Sequence, residues 1–233
     1  MTRDNWVHLE SRTRSVSVAV EPIDVVTGRI PTDGPALTLL GVDGSFDTNR
    51  RGWHVATDLG DDAAPFEIEV GRHSRYLPQR LTVTEEDYDP PLELTVRLLP
   101  TAAYPFPVGA TLIRGSVATA HSDPGQDAQP LEGADVVLVG PEEDETDDES
   151  DDNGLRGHAR TDERGEYVLY VAGITGEDVL EAYPEDPQAE DGPVVHVDGV
   201  KPHVEATHPN TGETIEVEAV IPEGKTTTLD FEF

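Results

Sequence analysis

The residues Glu142–Asp152 read E-E-D-E-T-D-D-E-S-D-D, nine carboxylates in eleven positions, and clustered carboxylate oxygens are what a hard cation binds. A dedicated calcium loop also needs fixed ligand spacing, a glycine at the sharp turn and a closing bidentate glutamate. Asp148, Asp151, Asp152, Asn153 and Gly154 approximate that spacing only loosely, and the closing glutamate is missing. The run therefore reads as a solvated loop. His196, His203 and His208 follow H-x6-H-x4-H across a stretch broken by Pro202 and Pro209, a spacing that implies no particular metal. Asp24, Asp43 or Ser45 can each be written into a triad with some histidine, but such triples arise by chance in a chain with 48 acidic residues. No nucleophile elbow, phosphate-binding loop or H-E-x-x-H motif occurs. The expectation is no catalytic residue, no cofactor and no metal site.

Aromatic side chains can stack sugars, which draws attention to Trp53 and Tyr167. Each directly or nearly follows a glycine in a repeated stretch: Thr48-Asn49-Arg50-Arg51-Gly52-Trp53-His54-Val55 and Thr161-Asp162-Glu163-Arg164-Gly165-Glu166-Tyr167-Val168. Both copies read T-[DN]-x-R-G-x-[YH]-V, a polar link between β-type runs, and predict a hairpin with the glycine at positive φ. A core-facing aromatic is the commoner occupant of such a position, and at 6% aromatics, scattered, no sugar-binding face is assembled. The repeat implies two copies of one β-unit.

The elements around these turns are strands. Val16, Val18 and Val20 alternate with Ser15, Ser17 and Ala19, which predicts a half-buried strand. Ala36–Val42, Phe66–Val70, Leu81–Val83 and Leu92–Leu99 continue the series, with no helical period between them. Several short strands separated by turn signals indicate a sandwich. The segment P-T-A-A-Y-P-F-P holds three prolines in eight residues and predicts a stiff connection, with Tyr104 and Phe106 packing at a domain seam. Val179–Tyr183 predicts a strand and Val194–Val197 an edge strand. Thr214–Ile221 and Thr226–Phe233 predict a closing hairpin across Pro222-Glu223-Gly224-Lys225. The expected organisation is an arm over 1–13, a β-sandwich over 14–99, a Pro-rich linker over 100–108 and a second sandwich over 109–233 with an acidic loop at 141–153.

Charge narrows the partners. The 233 residues carry 48 acidic against 16 basic side chains, a net charge of −32, and only Lys201 and Lys225 are lysines. Removing the nine carboxylates of the acidic run still leaves 39 against 16, so the acidity is global. Such a surface suits a high-salt cytoplasm, where screening removes self-repulsion, and points to a halophile, with an acidic protein that captures basic partners as the alternative. It argues against nucleic acid, whose phosphates need a basic stripe, and against anionic membranes. No apolar run approaches the ~20 residues of a membrane span, and the polar start lacks the apolar centre of a signal peptide, so the expected location is the cytoplasm or a particle assembled there. Cysteine is absent, which excludes disulfides. Trp6 and Leu9 in the polar arm are candidate contacts to a neighbouring subunit, as are Tyr104 and Phe106.

The second half resembles the carboxypeptidase regulatory-like domain, a transthyretin-like β-sandwich. The resemblance rests on Arg114-Gly115-Ser116-Val117, Pro130–Leu138 (P-L-E-G-A-D-V-V-L), Thr161–Val168 and the closing Gly224–Phe231. It covers about residues 109–233 and departs at the acidic insertion and at Asp186–Asn210; the first half fits the plan more loosely. It implies an all-β chain of two tandem Ig-like, transthyretin-like sandwiches that act as spacers or interaction units rather than enzymes. The stretch Ala103–Gly115 (A-Y-P-F-P-V-G-A-T-L-I-R-G) is similar to linkers in accessory proteins of phage-tail-like contractile injection systems. That resemblance implies a structural subunit in a cap, collar or baseplate position, with tube, sheath or baseplate proteins as partners. The alternatives are a carbohydrate- or peptide-binding sandwich and an accessory domain of a separate enzyme.

Overall fold

Asn49 and Asp162 do the same work in the two copies of the repeated turn. The structure is a computed structural model describing residues 14–60, 62–120, 128–139, 157–181, 192–196 and 201–233. Asn49 Oδ1 accepts from the amides of Arg51 (2.8 Å) and Trp53 (3.1 Å), and Asp162 Oδ1 accepts from those of Arg164 (2.8 Å) and Glu166 (3.0 Å). The backbone closure also matches: Gly52 N donates to Asn49 O and Gly165 N to Asp162 O, with Asn49 N on Trp53 O and Asp162 N on Glu166 O. Gly52 and Gly165 take φ of +87° and +72°, where a side chain would be strained. The arm with Trp6 and Leu9 and the acidic loop at 141–153 lie outside the described residues.

The described chain is all-β, with one turn of 3-10 helix at Gly176–Asp178 and no α-helix. It divides into two compact units. The first takes the described residues up to Ile23 with Ile30–Gly71 and Pro78–Arg97; the second takes Asp24–Arg29, Arg72–Leu77 and Leu98–Phe233.

Strands β1 (Val16–Asp24), β2 (Leu37–Leu40), β3 (Asp47–Thr48), β4 (His54–Thr57), β5 (Phe66–Val70), β6 (Gln79–Val83) and β7 (Leu92–Leu98) form two sheets, ordered β3-β4-β1-β7 and β2-β5-β6. Phe66, Ile68 and Val70 point one way along β5 and are buried while Glu67 and Glu69 stay half-exposed, as the alternation predicts. Strand β1 departs from its alternation: Ser17 and Ala19 are buried together with Val18 and Val20, and Val16 is exposed. The register against β4 shifts between Val16 and Val18. The Ser17 hydroxyl is accommodated because it accepts from Leu59 N (2.9 Å) and donates to Leu59 O (3.3 Å).

The second unit runs through β8 (Leu112–Thr119), β9 (Gln129–Pro130), β10 (Asp135–Val139), β11 (His158–Arg160), β12 (Glu166–Tyr170), β13 (Val179–Leu180), β14 (Val194–Val195), β15 (His203–Thr207), β16 (Thr214–Glu218), β17 (Ile221–Pro222), β18 (Thr226–Thr228) and β19 (Phe231–Glu232). They form a β11-β10-β15-β16 sheet, a sheet centred on β8 with β12, β18, β19 and β9 as its partners, and a small β13-β14-β17 sheet. Ile113, Val117 and Leu169 from the second sheet meet Val136 and Val204 from the first in one core, which Phe231 joins.

Three sequence expectations change here. The turn at Asp162–Gly165 is not a hairpin between paired strands, since β11 pairs with β10 and β12 with β8, so the turn carries the chain from one sheet to the other. The C-terminal strands are not a hairpin either: β16 is antiparallel to β15, while β18 and β19 run parallel to β8. Turn chemistry reports a change of direction but not which strand is met afterwards. Finally, β14 is the central strand between β13 and β17, and Val194 and Val195 are fully buried rather than at an edge.

A Cβ on Gly165 would lie 2.6 Å from the Val117 carbonyl oxygen as well as at positive φ. Gly165→Ala is expected to cost about 1–3 kcal/mol of unfolding free energy in denaturant titration. Gly176→Ala, where nothing lies within 4 Å, is expected to stay within about 0.5 kcal/mol of the parent.

Candidate functional site

The second unit holds a buried carboxylate with three donors. Asp24 is 3% exposed; its Oδ2 accepts from Tyr104 OH (2.6 Å) and Tyr76 OH (3.1 Å), and its Oδ1 from Val26 N (2.9 Å). A buried carboxylate is tolerated only when its lone pairs are filled, and here one donor is the local amide of Val26 while the two hydroxyls come from 52 and 80 positions away. Backbone bonds tie the same segments together: Val25 N to Leu98 O, Leu77 N to Leu99 O and Thr101 N to Arg75 O. The Thr101 hydroxyl adds a bond to Ser74 O at 2.8 Å.

From this node an aromatic series leads outward. Tyr76 and Tyr104 are 5.9 Å apart between centroids, Tyr104 and Phe106 4.9 Å, and Phe106 stacks on Tyr170 at 6.1 Å and 27°. The Arg114 guanidinium sits 5.9 Å over the Phe106 ring, in cation–π range. Tyr104 is thus taken up in the fold and Phe106 is half-buried, while Pro105, Pro107 and Val108 are exposed, Val108 completely. The result is a short apolar loop whose base is fixed by buried hydrogen bonds. Burial, then the hydrogen bond to Asp24 and its charge, push the Tyr104 phenol well above the ordinary tyrosine range. Tyr167 is raised chiefly by burial and then by Asp230, and its hydroxyl donates to Leu229 O at 2.7 Å.

The first unit contains a groove of about 470 Å³ between the segment Ile30–Pro35 and the turn Thr48–Gly52, with Pro22 and His54 also lining it. Ile30 packs so closely on the turn that a Cβ at Gly52 would lie 2.6 Å from its Cγ2. Arg50 and Arg51 are exposed and form no ion pair among the described residues. The His54 ring meets Phe46 edge-on at 6.2 Å and Thr48 Oγ1 at 3.4 Å, and burial lowers its pKa.

The other sequence candidates are dispersed. Trp53 is half-buried and Tyr167 belongs to the core. His203 pairs with Glu216 at 2.5 Å and lies 3.8 Å from Glu218; His208 accepts from the amides of Asn210 and Thr211 and packs edge-on against Phe233. His196 is buried near β14. Among the described residues no group of three or more such ligands is placed to hold a metal ion. Asp43 and Ser45 are exposed, and Asp24 is occupied by its tyrosines. Neither the Asp24 node nor the arginine groove is visible in a local motif, because each is made by segments far apart in the chain.

No protein-family model matches the chain, and no curated protein matches it. Among solved structures it is similar to the Bacillus anthracis TIE protein (12% identity, TM-score 0.26), covering 94% of this chain and 34% of that one. It is similar also to a streptococcal ancillary pilin (10% identity, TM-score 0.25), covering 94% of this chain and 62% of that one. The chain therefore spans about a third and somewhat under two thirds of these proteins, and a likeness at such scores carries no functional argument.

Tyr104→Phe removes a hydrogen bond to a buried charge and is expected to cost about 1.5–3 kcal/mol, with Asp24→Ala costing more because two hydroxyls lose their acceptor. Tyrosines with raised folded pKa values stabilise in full below the ordinary value of 10.0, and that contribution is lost as the pH climbs beyond it, because the unfolded chain ionises first. Thermal melts are therefore expected to fall above pH 10.0 less steeply in Tyr104→Phe than in the parent.

Proposed function

We propose that this chain is a non-catalytic structural adaptor, two tandem Ig-like, transthyretin-like sandwiches joined by the Pro-rich stretch, that docks on neighbouring protein subunits. The observation that carries this reading is the apolar loop Pro105–Val108, exposed on a chain of net charge −32 and fixed at its base through Tyr104 and Asp24. An exposed apolar element whose anchor is already ordered loses little conformational entropy on binding, which favours a docking role. Strand β16 supports the same reading, because it ends its sheet and its far side pairs with no described strand.

The partners proposed are tube, sheath or baseplate proteins of a phage-tail-like contractile injection particle, in a cap, collar or baseplate position. That part rests on the resemblance of Ala103–Gly115 alone. The carboxylate-rich, lysine-poor composition supports a high-salt cytoplasm as the place of assembly.

Tagged protein pulled down from its host at high salt and imaged by negative stain is expected to bring rod-shaped particles with the tag at one end. Recovery of a lone monomer overturns the particle assignment. Val108→Asp, at a fully exposed position, is expected to shift stability by no more than about 0.5 kcal/mol yet abolish co-purification of the partner subunits. Unchanged co-purification overturns the loop's docking role.

A further inference from the structure

We propose that the Arg50–Arg51 groove of the first unit binds an extended acidic peptide of a partner protein, one that places carboxylates beside apolar side chains. This deepens the docking function above by naming the chemistry of one partner segment, and rests on it only in taking the chain to bind proteins. Arg50-Arg51 is the one place in the sequence where two basic residues are adjacent. On a chain of net charge −32 it is a local excess of positive charge, two guanidinium groups against one carboxylate, Asp33, in the lining of the same groove.

The site is built rather than incidental. The Asn49 side chain closes the turn onto the amides of Arg51 and Trp53, and the absence of a side chain at Gly52 lets Ile30 pack against it. This fixes the arginine-bearing turn opposite Ile30, Pro31 and Pro35, and the volume of about 470 Å³ lies within the range of binding pockets. Prolines offer no N–H, so those positions cannot recognise a strand by backbone pairing, and recognition falls to the guanidinium forks. Burial lowers the pKa of the half-buried His54 ring and so favours its neutral form, which leaves the positive charge of the groove to the two arginines.

The choice of a peptide over a small anion follows from exposure. Both arginines are exposed, and an ion pair in that setting contributes little. Only a ligand that engages both forks and the apolar wall together gains useful affinity. The matching turn of the second unit presents Arg164 in the place of Arg51 but has Glu163 in the place of Arg50, which makes it an internal control.

The test is fluorescence anisotropy with a labelled octapeptide of sequence Glu-Leu-Glu-Pro-Leu-Glu-Leu-Glu, run on the full chain at a salt concentration where circular dichroism shows it folded. Saturable binding is expected, weakened about tenfold in the Arg50→Gln/Arg51→Gln double variant and unchanged in Arg164→Gln. Free glutamate at equal carboxylate concentration is expected not to displace the peptide. Absence of saturable binding, an equal loss in Arg164→Gln, or displacement by free glutamate would each overturn the proposal. The variants are checked by thermal melt, and because binding is measured on the isolated chain, the outcome is separate from that of the pull-down.

Discussion

A carboxylate cannot sit at 3% exposure unless its oxygens are filled, and that requirement shapes the second unit around Asp24. Its donors are Tyr76, Tyr104 and the amide of Val26, so the end of β1, the segment Arg72–Leu77 and the chain beyond Leu98 must converge for the charge to be buried at all. Convergence then sets the backbone bonds at Leu77, Leu99 and Thr101 and the ring series from Tyr76 to Tyr170. The exposed Pro105–Val108 loop inherits its position from this node.

The two Asx-closed turns show one local device serving two ends. At Asn49 it joins β3 and β4, which pair with each other; at Asp162 it passes the chain between sheets. The hydrogen bonds inside the turn are alike, so the difference lies in what flanks it. Around Gly165 the Val117 carbonyl and Pro130 crowd the glycine, whereas Gly52 is met by the Ile30 side chain. A tight backbone corner results in one case and the wall of a groove in the other.

This explains what could be read in advance. The period of Phe66, Ile68 and Val70 is a local property and predicted a one-faced strand correctly, as did the glycine positions in the two turns. Parallel pairing of Thr226–Thr228 with β8 is non-local, and a proline-glycine turn at 222–225 carries no information about it. Ser17 misled the alternation because a hydroxyl satisfied by the Leu59 backbone is as easily buried as alanine. The Asp24 node was invisible for the same reason: an acidic residue before Val25-Val26 reads as surface until two tyrosines 52 and 80 positions away are known to meet it. The arginine pair was legible as sequence, but its groove depends on Ile30 and the loop that follows.

The central claim is that residues 98–106 are held as part of the folded second unit by the Asp24 node. Hydrogen exchange resolved at single amides tests it most directly. The amides of Leu77, Thr101 and Tyr104, bonded to Leu99, Arg75 and Thr101 respectively, are predicted to exchange far more slowly than free chain in the parent and to lose that protection in Asp24→Ala, while β8 stays protected. Exchange at the intrinsic rate of unstructured chain in the parent would contradict the account.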